Sequence, residues 1–218
     1  MERWRSTQLA VDHTCTAVGG PAAGAGGATL IELLASLLLM SILMAMAYGF
    51  ARAALMSVRV QEVKSEVQEV STMAVDILAR ELRMAGFSAA AGAMTAVAVA
   101  LPDRVEIASD FNGDGDSADT NEVIAYSYDA AKQQLMRATG GGSPQPFARN
   151  VAPAGVQFTF FDAAGTQIPA AASGLSAEDR QRIRRVDVLL RLEIPHPDPT
   201  VSLPVASTVS NSVYLRNR

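Results

Sequence analysis

The stretch GGATLIELLASLLLMSILMAMAYGFA, Gly26 to Ala51, decides how this chain is built. From Leu33 to Ala51 no side chain carries a charge, and Glu32 and Arg52 bracket the run. At about 1.5 Å of rise per residue, a helix over that run nearly crosses a hydrocarbon core of roughly 30 Å. The small residues that a secretory signal carries after its apolar region here come before it, as GGPAAGAGG. The simplest reading of length and composition is a single-pass anchor helix. Glu32 does not suit that reading, because a carboxylate in lipid is costly.

The bulk composition narrows the field. With 218 residues the chain holds one domain, or one domain with an appendage. A net charge of −4 and the lack of a basic stripe argue against nucleic acid as a partner. The one cysteine, Cys15, precedes the apolar run, so the chain beyond that run can form neither an internal disulfide nor a cysteine metal site. The two histidines, His13 and His196, lie in unrelated contexts and offer a weak basis for imidazole catalysis.

The entrance to the run, Gly27-Ala28-Thr29-Leu30-Ile31-Glu32, resembles the processing site of type IV prepilins and pseudopilins. The resemblance extends through about Phe50. It implies cleavage between Gly27 and Ala28 by a prepilin peptidase, with methylation of the new Ala28 amine. An unsubstituted glycine backbone suits a tight, extended protease site. Residues 1–27 would then be a leader carrying Cys15 and His13 away. Glu32 would stand four positions after the new amine, on the same helix face, and could pair with it within one chain or between neighbouring chains. Two features depart from the family pattern: Ala28 stands where phenylalanine is usual, and the leader's Arg3 and Arg5 lie far from the cut.

After the span, Val60, Val63, Val67, Val70, Ala74 and Ile77 recur at spacings of three and four. No proline interrupts the chain from Ala28 to Leu101, and Gly86 is a natural stop. These signals predict one helix from about Ala28 to Ala85, with a membrane and assembly half over 28–52 and an amphipathic half over 53–86. The remaining 87–218 reads as β structure. AVAVAL and RVEIAS alternate, EVIAYSYDAAKQQLMRAT turns at Asp129–Lys132, and GVQFTFFDAAGTQI turns at Ala163–Gly165. GGGSPQP, 140–146, reads as a linker. Ser176 reads as an N-cap, with a strand over Val186–Ile194 and a strand-like tail SNSVYLRNR. The fold class is α+β. The resemblance makes it pilin-like, a long N-terminal helix packed on an antiparallel sheet. FTFFDAAG, RIRRVDVLLRLE and YLRNR are also similar to minor pilins of the PilW type, and more distantly to a minor pseudopilin of type II secretion.

A second constellation is DFNGDGDSADTNE. Asp110, Asn112, Asp114, Gly115 and Asp116 fit the opening of a calcium loop, D-x-[DN]-x-[DN]-G, in which alternate residues turn oxygens inward. The closing glutamate of an EF-hand belongs where Asn121 stands; Glu122 is one place late, and no helices flank the loop. The segment therefore reads as a freestanding Ca²⁺ loop, with Asp119 or Glu122 completing the shell. The alternative is an ion-free Asx-rich turn.

No constellation reads as an enzyme. Ser173 lacks the G-x-S-x-G elbow, Gly140–Gly142 lack the lysine of a phosphate loop, and Arg180–Arg185 read as a solvated strand entry. The resemblance implies a minor pilin that starts assembly or sits near the tip of a type IV pilus. Its partners would be the prepilin peptidase, other pilin subunits and the inner membrane. Its globular part would be periplasmic and then displayed on the fibre. A type II secretion pseudopilin and a signal-anchored ligand-binding protein are the alternatives.

Overall fold

The computed structural model describes residues 29–89 and 94–217; Gly27 and Ala28, with Cys15 and His13, lie outside the described residues. The chain divides into two units between Gly49 and Phe50. The helix α1, Leu30–Met84, is continuous through that boundary. It begins close to the expected place and ends just before Gly86, as the absence of proline and the glycine stop predict. In the first unit, every described side chain from Thr29 to Gly49 is exposed.

The second unit holds two antiparallel sheets where the sequence suggests one. The strands β1 (Val97–Ala100), β2 (Arg104–Ala108), β3 (Val123–Asp129), β4 (Gln134–Thr139) and β5 (Gln145–Ala148) form a meander in chain order. The other sheet runs β7-β6-β8-β9, from β6 (Val151–Phe161), β7 (Gln167–Ile168), β8 (Arg185–Ile194) and β9 (Val205–Tyr214). The short helix α2, Ala177–Arg182, is capped as expected by Ser176, whose hydroxyl accepts from the Asp179 amide.

Two strands differ from the sequence reading for identifiable reasons. Gln145 and Pro146 belong to β5, not to a linker; Pro146 is tolerated because β5 is the edge of its sheet. The strand β9 begins at Val205, well before the expected tail. Its serines, threonine and asparagine dilute the apolar alternation, yet it pairs residue for residue along β8 from Ile194↔Val205 to Arg185↔Tyr214.

The core sits where α1 meets the strands. Val67, Ser71, Ala74, Val75, Leu78, Ala79 and Leu82 are the buried helix residues. Val70 and Ile77, expected on the buried stripe, are instead exposed. Ser71 on this face is fully buried, and the Ser71 and Ser207 hydroxyls hydrogen-bond at 3.0 Å. From β8, Val186, Val188, Leu190 and Leu192 point into the same core at strict two-residue spacing.

A polar anchor crosses this contact. Tyr126 on β3 and Arg137 on β4 are directly opposed in register. The Tyr126 hydroxyl donates to Glu81 Oε2 at 2.6 Å, and Arg137 donates to both Glu81 oxygens at 3.2 and 2.8 Å. A bidentate guanidinium and a phenol thus satisfy a carboxylate on the helix's buried flank. Burial and then the Glu81 hydrogen bond push the Tyr126 phenol well above its ordinary range. Glu81 itself raises the Arg137 pKa. Removing Glu81 strands two donors in the core, so Glu81→Ala should cost about 2–3 kcal/mol, below the full-burial range because Arg137 remains one-third exposed. The folded phenol's pKa lies above its unfolded value near ~10, so the neutral form is favoured by folding. Its contribution is complete below pH ~10 and is lost as pH rises beyond that. Thermal melts between pH 8 and 11 should show the wild type weakening at the alkaline end, and Tyr126→Phe should flatten that decline.

Candidate metal centre and helix entrance

The acidic segment is the connection between β2 and β3. The ladder of these strands ends at Ala108↔Val123 and is extended by the Ser109 amide donating to the Glu122 carbonyl at 2.8 Å. The chain between them winds through successive Asx turns. The Asp114 amide donates to Asn112 Oδ1, the Asp116 amide to Asp114 Oδ1, and the Ala118 amide to Asp116 Oδ1, at 2.8–3.0 Å. In each turn the side-chain oxygen accepts the amide two residues on, and Gly113 and Gly115 supply the positive φ angles the winding needs.

Within this loop Asp114, Asp116 and Glu122 converge, with one oxygen of each lying within 4.8 Å of the others. Asp114 and Asp116 are exposed and Glu122 is buried. The two Glu122 oxygens differ. Oε1 accepts from the Phe111 amide at 2.9 Å and the Asn112 amide at 3.3 Å, whereas Oε2 is buried with no hydrogen-bond partner. A buried carboxylate oxygen without a donor is costly, and a cation is one partner that would satisfy it. Together the three side chains could hold a metal ion. Their donors are all hard oxygens, which fits calcium, magnesium or manganese better than zinc.

The other expected ligands have different places. Asp110 is fully buried, and its oxygens accept from the Gly113 and Gly115 amides and the Ser88 hydroxyl. Asn112 donates its amide to Asp114 Oδ2 and Asp119 Oδ2. Asp110, Asn112 and Asp119 thus hydrogen-bond within the loop, and the carboxylate oxygens that converge are those of Asp114, Asp116 and Glu122. Although Glu122 is one position late for an EF-hand, its pairing with Ser109 across the hairpin mouth turns its side chain back over Phe111. That placement depends on strand register and is invisible in loop spacing.

At the helix entrance, Thr29 and Glu32 form a reciprocal cap. The Thr29 amide and hydroxyl donate to Glu32 Oε2 at 2.9 and 3.1 Å, and the Glu32 amide donates to Thr29 Oγ1 at 3.4 Å. This is a capping box, T-x-x-E. The motif is legible in the sequence, although the neighbouring apolar run masks it by making Glu32 conspicuous for its charge. Arg180–Arg185 are engaged rather than simply solvated. Arg182 pairs with Asp162 and Asp179, and Arg185 pairs with Asp187 and lies 3.8 Å over the Phe161 ring. His196 is half-buried and accepts from the Asp198 amide at 3.0 Å.

The chain matches no known family model and no curated protein.

Three carboxylates within 4.8 Å repel one another by roughly 1 kcal/mol per pair even at water's dielectric. Asp116→Asn keeps the acceptor for the Ala118 amide and removes one charge. The change abolishes two of the three repulsive pairs, and salt screening of the exposed Asp116 reduces their sum to about 1 kcal/mol. In the presence of a chelator this variant should therefore melt about 2–4 °C above the wild type. A lower melting temperature would contradict mutual repulsion in the loop.

Proposed function

We propose that the chain is a subunit of a helical fibre of the type IV pilin class, as a minor pilin that starts assembly or lies near the tip. The observation that carries this reading is the two-part character of α1. Its first part exposes Leu33, Leu34, Leu37, Leu38, Leu39, Leu43, Met44 and Met46, whereas Val67 to Leu82 line a folded core. One helix is long and apolar enough to cross a membrane, which is compatible with single-pass anchoring. In this reading the helix first holds the chain in the inner membrane, with the β domain in the periplasm, and later packs among neighbouring subunits. Val70, Met73 and Ile77 are also exposed on the domain part of α1.

Cleavage between Gly27 and Ala28 supplies the new amine, and Glu32 is its counter-charge. The capping box gives Glu32 a first duty within its own helix, and the amine of an adjacent subunit would draw the carboxylate more strongly in a low-dielectric bundle. A subunit displaced along the bundle would leave both charges unpaired, so the pair sets register. Calcium is the ion taken by Asp114, Asp116 and Glu122, because its irregular, oxygen-rich coordination suits a loop of carboxylates.

Co-expression with a prepilin peptidase tests the processing step. Intact-mass measurement should show loss of residues 1–27 and a methylated Ala28, and an unshifted mass would refute the reading. Glutamine caps as glutamate does, so Glu32→Gln separates charge from helix capping. That variant should be cleaved normally and fail to enter fibres; normal incorporation would remove the register role.

A further inference from the structure

The acidic loop is fastened directly to the end of α1. After Met84 the chain turns at Gly86, whose amide donates to the Ala108 carbonyl at 2.8 Å. A Cβ at Gly86 would meet Asn217 O at 2.7 Å and Ala96 Cβ at 2.8 Å, and its φ of 75° is in the left-handed region, so the turn admits only glycine without strain. The next residues run alongside the start of the loop. The Asp110 amide donates to the Phe87 carbonyl at 2.7 Å, and the Ala89 amide donates to the Asp110 carbonyl at 3.0 Å. The Ser88 hydroxyl reaches Asp110 Oδ2 at 3.0 Å, and the Ser109 hydroxyl reaches the Met84 carbonyl at 3.1 Å. The Phe87 and Phe111 rings stack with centroids 5.9 Å apart.

Asp110 therefore joins two structures. Its backbone binds the helix exit, and its carboxylate holds the Gly113 and Gly115 amides that wind the acidic loop. On the other side of that winding, Glu122 Oε1 receives the Phe111 and Asn112 amides while Oε2 is buried without a partner. We infer that a calcium ion held by Glu122 Oε2 with Asp114 and Asp116 is a clamp that fixes the exit of α1 to the β2–β3 hairpin. This rests on calcium being the ion of the triad and goes beyond it, because it assigns the ion a task at the helix exit. The ion relieves repulsion among the three carboxylates, which keeps the loop wound. A wound loop presents the Phe111 and Asn112 amides to Glu122 and holds Asp110 against Phe87–Ala89. Without the ion, repulsion loosens the loop and with it the Gly86–Asp110 ladder.

Calorimetry and hydrogen exchange on the full chain in detergent, after chelation and then with added Ca²⁺, test this in two parts. Ca²⁺ should bind with measurable heat and at least tenfold more tightly than Mg²⁺. Glu122→Gln and Asp116→Asn should each weaken binding at least tenfold, while Asp119→Asn, outside the converging triad, should change it less than threefold. Asp116 is exposed and its replacement keeps the Ala118 hydrogen bond, so that variant decides the matter if Glu122→Gln fails to fold. Calcium should also slow exchange of the Gly86, Ala89 and Asp110 amides at least tenfold. Calcium heat without slower exchange at those amides would overturn the clamp and leave the ion in place. No calcium heat, or equal binding of magnesium, would overturn both.

Discussion

The second unit depends on burial of one face of α1 between Val67 and Leu82. Both sheets supply residues to the same core as that helix, and each is individually too thin to make a core without it. Hydrophobic burial is non-directional and would tolerate the helix sliding or rotating on the strands. The Glu81 carboxylate removes that freedom. It accepts from Tyr126 and Arg137, which face each other across β3 and β4, so helix rotation and sheet register are set by one three-residue contact. Ser71 with Ser207 makes a second, weaker polar tie to the other sheet.

The end of the helix is fixed by different means. Gly86 turns the chain sharply, and Phe87–Ala89 then pair with Asp110 at the head of the acidic loop. Asp110 therefore ties the acidic loop to the helix exit, which is why the proposed ion would bear on how firmly that exit is held. The unpartnered Glu122 oxygen is the informative detail. Acidic surface turns are common, but here a buried carboxylate oxygen with no donor belongs to a residue that converges with two other carboxylates, an arrangement that could hold a cation.

Much of this was legible in the sequence. Proline absence and the Gly86 stop locate the limits of α1, and alternation locates β2, β3, β4, β6 and β8. The Asp110–Asp116 spacing locates the acidic loop. The parts that escaped share a cause, since each depends on contacts between distant segments. The buried stripe of α1 runs through Ser71 and Ala74 and leaves Val70 and Ile77 outside, a choice of face set by where the strands lie and not by side-chain hydrophobicity. The division into two sheets is equally tertiary. The strand β9 lacks an apolar signal because Thr208, Ser210 and Ser212 are exposed and polar Ser207 and Asn211 stand on its half-buried face, so its pairing with β8 defines it. Within the candidate metal centre, spacing identified Asp114 and Asp116 and left Asp119 or Glu122 open as the closing residue; strand pairing at Ser109 brings Glu122 to them.

The proposed role rests on α1 having two successive environments for its first part, lipid and then other subunits. The chain's single cysteine, Cys15, lies in the segment removed by the proposed cleavage, so a mature chain would carry no native thiol. A single substitution such as Leu39→Cys then reports only on the apolar segment. The most direct measurement is oxidative cross-linking of that variant in fibres sheared from cells that also make the partner pilins with cysteines at matched depth. Cross-linked species between this chain and a neighbouring subunit are expected in the sheared fraction. Recovery of the chain solely as an uncross-linked membrane protein, absent from the sheared fibres, would contradict it.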